Sequence, residues 1–215
     1  MLKVWGRRNS LNVQKVMWLV GELQLAHEHI PVGGPYGGLA EPRFRMLNPN
    51  GLIPVLEDGD LVVWESHAIL RYLAARYGGS RYWPPDAGER SAFDRWMDWC
   101  QAHWQPAFST GVFWGYFRTP EADRDWVNVN RAIAQCAELM QIVEHALEGR
   151  RFVAGDALTL GDVPIGASLY RYFGLDIARP PLPRVEAWYA RLSSRPAYQE
   201  HVMAPYDDLK GRLAF

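Results

Sequence analysis

Long apolar runs are missing from this 215-residue chain: nowhere do about eighteen uncharged hydrophobic residues follow one another, so no segment is expected to span a bilayer. The opening MLKVWGRRNS breaks its apolar residues with charge and has none of the continuous apolar stretch of a secretory leader. Cysteine is scarce. Cys100 and Cys136 stand alone in helical patterns without a CxxC partner, which predicts buried reduced thiols and no disulfide framework. The six histidines form neither HExxH nor HxxxH, so no metal is expected. An excess of charge of one sign is also absent: 23 basic side chains face 24 acidic ones, and the arginines form no block, which removes the electrostatic case for nucleic acid. No internal repeat and no low-complexity tail occur. The composition is that of a soluble enzyme, for which the cytosol is the default expectation, and it decides little more.

The apolar content of 48% is sufficient for a proper core in one large domain or two small ones. The segment GGSRYWPPDAG at residues 78–88 has the makeup of a linker, and strand patterns occur only before it. This predicts an α/β domain over 1–78, a linker over 79–85 and an all-α domain over 86–215. In the latter, residues 91–117 carry Phe93, Trp96, Met97, Cys100 and Trp104 at helical spacing, and 123–148 carry Val127, Ile133, Leu139, Ile142 and Leu147. Two long antiparallel helices are expected. The aromatics from Trp96 to Phe117 could form a base-stacking face, but with no basic stripe beside them core and pocket roles are favoured. Thr159-Leu160-Gly161-Asp162 has the form of a capping box opening a structural helix over 160–173. Prolines at 180, 181, 183 and 196 divide the remainder into two short helices.

Chemistry concentrates in NPNGLIPVLEDGDLVVWES, residues 48–66, which reads as loop, strand, hairpin at Asp58-Gly59, strand and helix start. Pro54 has no N–H and belongs at the first residue of a strand, either as an ordinary edge proline or as a cis proline turning the groups of Ile53 outward. In the second case Ile53 N–H and C=O would pair with an extended peptide as a sheet edge does. Ser66 at a helix start is normally a cap. The same position offers free N–H groups, a hydroxyl and a favourable dipole to a carboxylate, and Glu65 beside it suits an ammonium. Ser10 also stands where a strand pattern (residues 2–5) gives way to a helical one, Val13, Val16, Met17, Val20 and Leu23. Alone, it too reads as a cap.

SLNVQK at residues 10–15, NPNGLIP at 48–54, WES at 64–66 and TLGDVPIG at 159–166 stand in the order and spacing of the cytosolic glutathione transferases, and the chain resembles bacterial Ser-type members of the theta and delta kind. The resemblance implies a thioredoxin-like domain with a mixed four-stranded sheet, an all-helical second domain and a homodimer. It implies glutathione as co-substrate: Ile53 pairing with its cysteinyl backbone before cis Pro54, Glu65 and Ser66 taking the γ-glutamyl end, and Ser10 donating to its sulfur. The thiolate would attack an apolar electrophile, with peroxidase activity as a side reaction. Asn12 stands where relatives often carry Pro; it would either donate a second hydrogen bond to the sulfur or open the helix. Lys15 is expected to pair within the fold. By position, Phe113, Trp114 and Phe117 are candidates for the electrophile pocket between the domains, with core packing as their ordinary alternative. Ser at position 10 separates the chain from Cys-dependent disulfide chemistry.

The chain also departs from the family. Gly51 and Leu52 fill positions where many relatives carry Lys, His or Gln for the glycyl carboxylate of glutathione. Asn50, Arg7, Arg8 or a residue of the Gly- and Pro-rich, mobile-looking loop 33–43 would have to substitute. A noncatalytic member that binds glutathione or an apolar ligand, or docks a protein, is the alternative reading.

Overall fold

The computed structural model describes residues 1–214, which pack as two compact units: residues 1–85 with 195–204, and residues 86–194 with 205–214. The first unit opens with β1 (Leu2–Trp5), α1 (Leu11–Glu22) and β2 (His27–Ile30), continues through the short α2 (Pro42–Leu47) to the hairpin β3 (Val55–Asp58) and β4 (Leu61–Trp64), and closes with α3 (Ser66–Tyr77) and α4 (Gly79–Tyr82). The four-stranded sheet has the order β2-β1-β3-β4, with β1 parallel to β2 and antiparallel to β3, and β3 antiparallel to β4. The mixed sheet is the expected one. Its hairpin closes on the pair Asp58–Leu61, so the turn is Gly59-Asp60, one residue past the predicted place, with Gly59 at φ +61°. Strand β2 was not foreseen. Its sequence HEHI is polar because the strand lies at the sheet edge, paired only to β1 from Leu2–His27 to Trp5–Ile30. The loop at 33–43 is a folded element: Gly33 N–H donates to Gly37 C=O at 2.7 Å around the 3₁₀ turn Gly34–Tyr36.

Helix α1 is enclosed almost all round, with every residue from Val13 to Val20 buried, Gln14 and Lys15 among them, and such a helix needs cover beyond one sheet face. The cover comes from α3 and from α9 (Pro196–His201). Tyr198 sets its ring edge-on to Trp18 at 4.8 Å, Gln14 donates to the Val202 carbonyl at 3.3 Å, and Arg195 forms a two-point pair with Glu22. Residues 195–204 therefore pack with the first unit, although the sequence assigns them to the helical domain.

The second unit contains α5 (Ala87–Trp99), α6 (Trp126–Ala146), α7 (Asp162–Gly174) and α8 (Pro183–Ser193). The single regular helix expected over 91–117 is replaced after Trp99 by π-helical turns, Cys100–Trp104 and Pro106–Arg118. Pro106 supplies the reason: it lacks an N–H, and its ring collides with the carbonyl one turn back unless the turn widens. Burial follows the wider turn, with Trp104, Phe108, Val112, Phe113 and Phe117 inside. This segment packs closely on α6, so that a Cβ on Gly111 would fall 2.5 Å from Ala132 Cβ. Cys100 and Cys136 are buried thiols outside any disulfide, and burial pushes the Cys136 thiol up to about 12.

Asp162 lies fully buried at the start of α7. Its carboxylate accepts from Val153 N–H (2.9 Å), Thr159 N–H (2.8 Å) and the Thr159 hydroxyl (3.0 Å). The capping box differs from expectation in one half: the Thr159 oxygen accepts from Gly161 N–H at 3.2 Å rather than from Asp162 N–H. Replacing Asp162 by Ala leaves three buried donors unpaired beside a small cavity, so urea unfolding should register a loss of about 3 kcal/mol, well beyond that of a surface cap.

Candidate active site

A cleft of about 50 Å³ in the first unit is lined by Asn12 of α1, by Asn48, Leu52, Ile53 and Pro54 of the loop before β3, and by Glu65 and Ser66 at the head of α3. The Ile53–Pro54 peptide bond is cis. The Ile53 side chain packs down on a core of Trp5, Val32, Phe44 and Val55. Its N–H and C=O, by contrast, have no partner among the described residues. A backbone pair left open this close to a core is rare unless something outside the chain fills it.

Asn48 fixes the loop that presents Ile53. It is buried; its Nδ2 donates to Leu52 C=O at 2.8 Å, and its Oδ1 accepts from Asn50 N–H at 3.0 Å and Asn50 Nδ2 at 3.1 Å. One side chain thus ties together both ends of the turn. Sequence reading passed over Asn48, although Asn before Pro with an i+2 backbone donor is a legible Asx turn. Asn50, proposed as a ligand contact, is exposed, turns its amide toward Asn48 and is not among the residues lining the cleft.

Glu65 takes φ +70°, an uncommon conformation for a side-chain-bearing residue, and strain of this kind collects at binding sites. Ser66, the first residue of α3, is buried. Neither its hydroxyl nor the Glu65 carboxylate has a hydrogen-bond partner among the described residues. Behind Ser66, Lys15 is fully buried with Nζ 3.3 Å from His67 Nε2. Burial, then the Lys15 and Arg71 charges, push the His67 pKa down to about 2, so the imidazole is neutral and its Nε2 accepts. Lys15 has its partner inside the fold, as expected.

Ser10 is the half-buried N-cap of α1, and its hydroxyl caps nothing. The ordinary role for a serine at this place is therefore unfilled. Asn12 lines the cleft, and its Oδ1 is buried without a hydrogen-bond partner. Ser10 itself stands outside the lining residues. The three aromatic candidates lie in the second unit. Phe113 and Phe117 are buried, stack on each other at 5.2 Å and meet Tyr206 edge-on at 5.8 and 5.2 Å, while Trp114 is exposed under the Arg118 guanidinium at 3.7 Å. Phe113 and Phe117 are thus core residues of that unit, and packing, their ordinary alternative, accounts for them.

A mixed thioredoxin-like sheet carrying this cleft, followed by a helical unit, is the architecture of a glutathione transferase. The family model for the glutathione S-transferase N-terminal domain matches residues 1–75, and that for the C-terminal domain matches residues 100–196. The chain is 37% identical over 207 residues to glutathione S-transferase GstB of Escherichia coli, covering 95% of this chain and 99% of that one, and 34% identical to glutathione S-transferase 3 of Zea mays, covering 94% of each. A crystal structure of the theta class glutathione S-transferase of Xanthomonas axonopodis pv. citri with glutathione bound superposes with a TM-score of 0.90 at 46% identity, covering 95% of this chain and 98% of that one. The chain belongs to the glutathione S-transferase family.

Three histidines of the first unit are held below their ordinary pKa of 6.5 by burial: His67, His29 and His201. A folded-state pKa below the unfolded one means that the unfolded chain binds more protons between the two values. The stabilisation is complete above about pH 6.5 and is lost as pH falls below it, by up to about 1.4 kcal/mol per pH unit for each group. Asp162 in the second unit, raised by burial to about 6, has the opposite sign. Hydrogen exchange of α1 amides between pH 7.5 and 5 should therefore show falling protection, and His67→Gln should flatten that dependence.

Proposed function

We propose that this protein conjugates the thiol of glutathione to an apolar electrophile. The tripeptide lies along Ile53, its γ-glutamyl ammonium and carboxylate meet Glu65 and the Ser66 end of α3, and its sulfur lies against Ser10 and Asn12. The observation that carries this reading is the unpaired N–H and C=O of Ile53 beside the unengaged polar groups of Ser66 and Glu65. A zwitterionic end attached to an extended backbone satisfies all of them at once.

The chemistry required of the protein is small. A free thiol with pKa near 8.5 is only a few per cent ionised at neutral pH. A charge-assisted hydrogen bond from the Ser10 hydroxyl, together with the positive end of α1, lowers it by about one to two units, and no general base is needed. The thiolate then forms a carbon–sulfur bond as the leaving group departs with its electron pair, and holding both reactants together supplies the rest of the rate. The same thiolate attacks the O–O bond of a hydroperoxide, giving a sulfenic acid and an alcohol, and a second glutathione converts the sulfenic acid to disulfide and water. Peroxide reduction is therefore a side activity of this site. Among the described residues no helix is long and apolar enough to cross a membrane, and the proposed chemistry suits the reducing cytoplasm. Edge strand β4 leaves Leu61, Val62 and Trp64 exposed at 44%, 36% and 40%, a surface consistent with association of two copies.

Mixing with glutathione at neutral pH should raise the ultraviolet absorbance of thiolate. Ser10→Ala should lower kcat/KM for an aryl electrophile by about 10- to 100-fold, the loss of one charge-assisted bond, with Asn12→Ala smaller, while glutathione affinity changes little in both. Binding without a thiolate signal would leave a noncatalytic glutathione-binding protein; unchanged turnover in Ser10→Ala would remove Ser10 from the mechanism.

A further inference from the structure

The segment 195–204 returns from the far end of the sequence to cover α1, and it brings a histidine to a corner that already holds two others. Alternation along β2 puts His27 and His29 on one face of the edge strand and Glu28 on the other. His201, the last residue of α9, sets its ring 6.4 Å from that of His27. Arg8, in the loop after β1, joins them at a cavity of about 40 Å³ lined by Arg8, Met17, Glu200, His201 and Ala204, which gives solvent a path to the ring. Four basic side chains from three parts of the chain thus share one corner. The acidic group that faces His201 is Glu200, with Oε2 3.9 Å from Nε2. The other charges at this contact, Arg195 of the segment and Glu22 of α1, are paired with each other.

The three imidazoles are held differently. His29 Nε2 donates to Gly6 C=O at 2.7 Å and His27 Nδ1 to Leu25 C=O at 2.9 Å, bonds that each ring keeps when it is protonated. The His201 ring has no hydrogen bond among the described residues and lies buried against the backbone of α1. A Cβ on Gly21 would fall 2.9 Å from Ala197 Cβ and 2.9 Å from the His201 ring. The helices are that close, so the ring cannot turn to solvent unless α9 lifts. Burial first, and then the charges of His27, Arg8 and His29, hold the His201 pKa below its ordinary 6.5 against the opposing pull of Glu200. A ring kept neutral by docking takes up a proton more readily once the helix has lifted. Falling pH therefore favours the lifted form, by up to about tenfold per pH unit for one such ring.

We propose that residues 195–204 form an acid-released latch: α9 stays docked on α1 while His201 is neutral, and charging His201 beside His27, His29 and Arg8 lifts it while the four-stranded sheet stays folded. A six-residue helix opens locally at less cost than the whole unit, and the buried residues that hold the sheet together, Val4, Val55 and Leu56, carry no charge. Lifting α9 takes Tyr198 off Trp18 and uncovers the outer side of the helix that carries Ser10 and Asn12. Acid thus loosens the support of the cleft before the fold is lost. The latch is independent of what the cleft binds.

Amide hydrogen exchange of the intact protein, followed by NMR and corrected for the intrinsic pH dependence of exchange, tests this. The Gln199, Val202 and Met203 amides donate to the carbonyls of Arg195 and Tyr198 and report on the segment. Between pH 7.5 and 5.5 their protection should fall by about tenfold or more, and that of the β1 amides by clearly less. His201→Gln, neutral at every pH, should remove most of the pH dependence in the segment. Glu200→Gln, which deletes the opposing carboxylate, should move the loss of protection to higher pH, and Arg8→Gln should move it to lower pH. Glu200 and Arg8 are exposed, so these two variants decide the matter even where His201→Gln fails to fold. An equal loss in the segment and in β1, an unchanged pH dependence in folded His201→Gln, or no displacement in both Glu200→Gln and Arg8→Gln overturns the latch.

Discussion

The backbone of Ile53, open on one side and anchored on the other, is the constraint from which the first unit's site follows. Its side chain belongs to the core with Trp5, Phe44 and Val55, so the residue cannot swing away to find partners elsewhere. Its N–H and C=O stay unpaired at the edge of the cleft while Asn48 holds the loop from both ends. Around the same cleft the buried Asn12 Oδ1 lacks a hydrogen-bond partner, and Glu65 and Ser66 line its other side.

Helix α1 links this constraint to the rest of the unit. It carries Ser10 and Asn12 at its first turn and Lys15 one turn later, and it is buried on nearly every side. A helix so enclosed cannot shift without disturbing Trp18, Tyr198 and the Arg195–Glu22 pair at once. The residues from 195 to 204 therefore belong to the site's support, even though they come from the far end of the sequence. Lys15 and neutral His67 add a polar tie between α1 and α3, the two helices whose first turns carry the serines.

Much of this was legible in the residues, and the exceptions have particular causes. The hairpin and α3 announced themselves by alternation, a Gly turn and 3.6-residue spacing. Strand β2 did not, because an edge strand with the sequence HEHI has no apolar face to display. The aromatics of the π-helical segment are dense enough to satisfy either period and so look like a continuation of α5; Pro106 is the one local signal against regularity. Phe113 and Phe117 illustrate the limit of composition: large apolar residues suit a pocket and a core equally well, and only burial decides. Residues 195–204 have the pattern of an ordinary terminal helix, and nothing local to them reveals that the apolar far side of α1 is their partner.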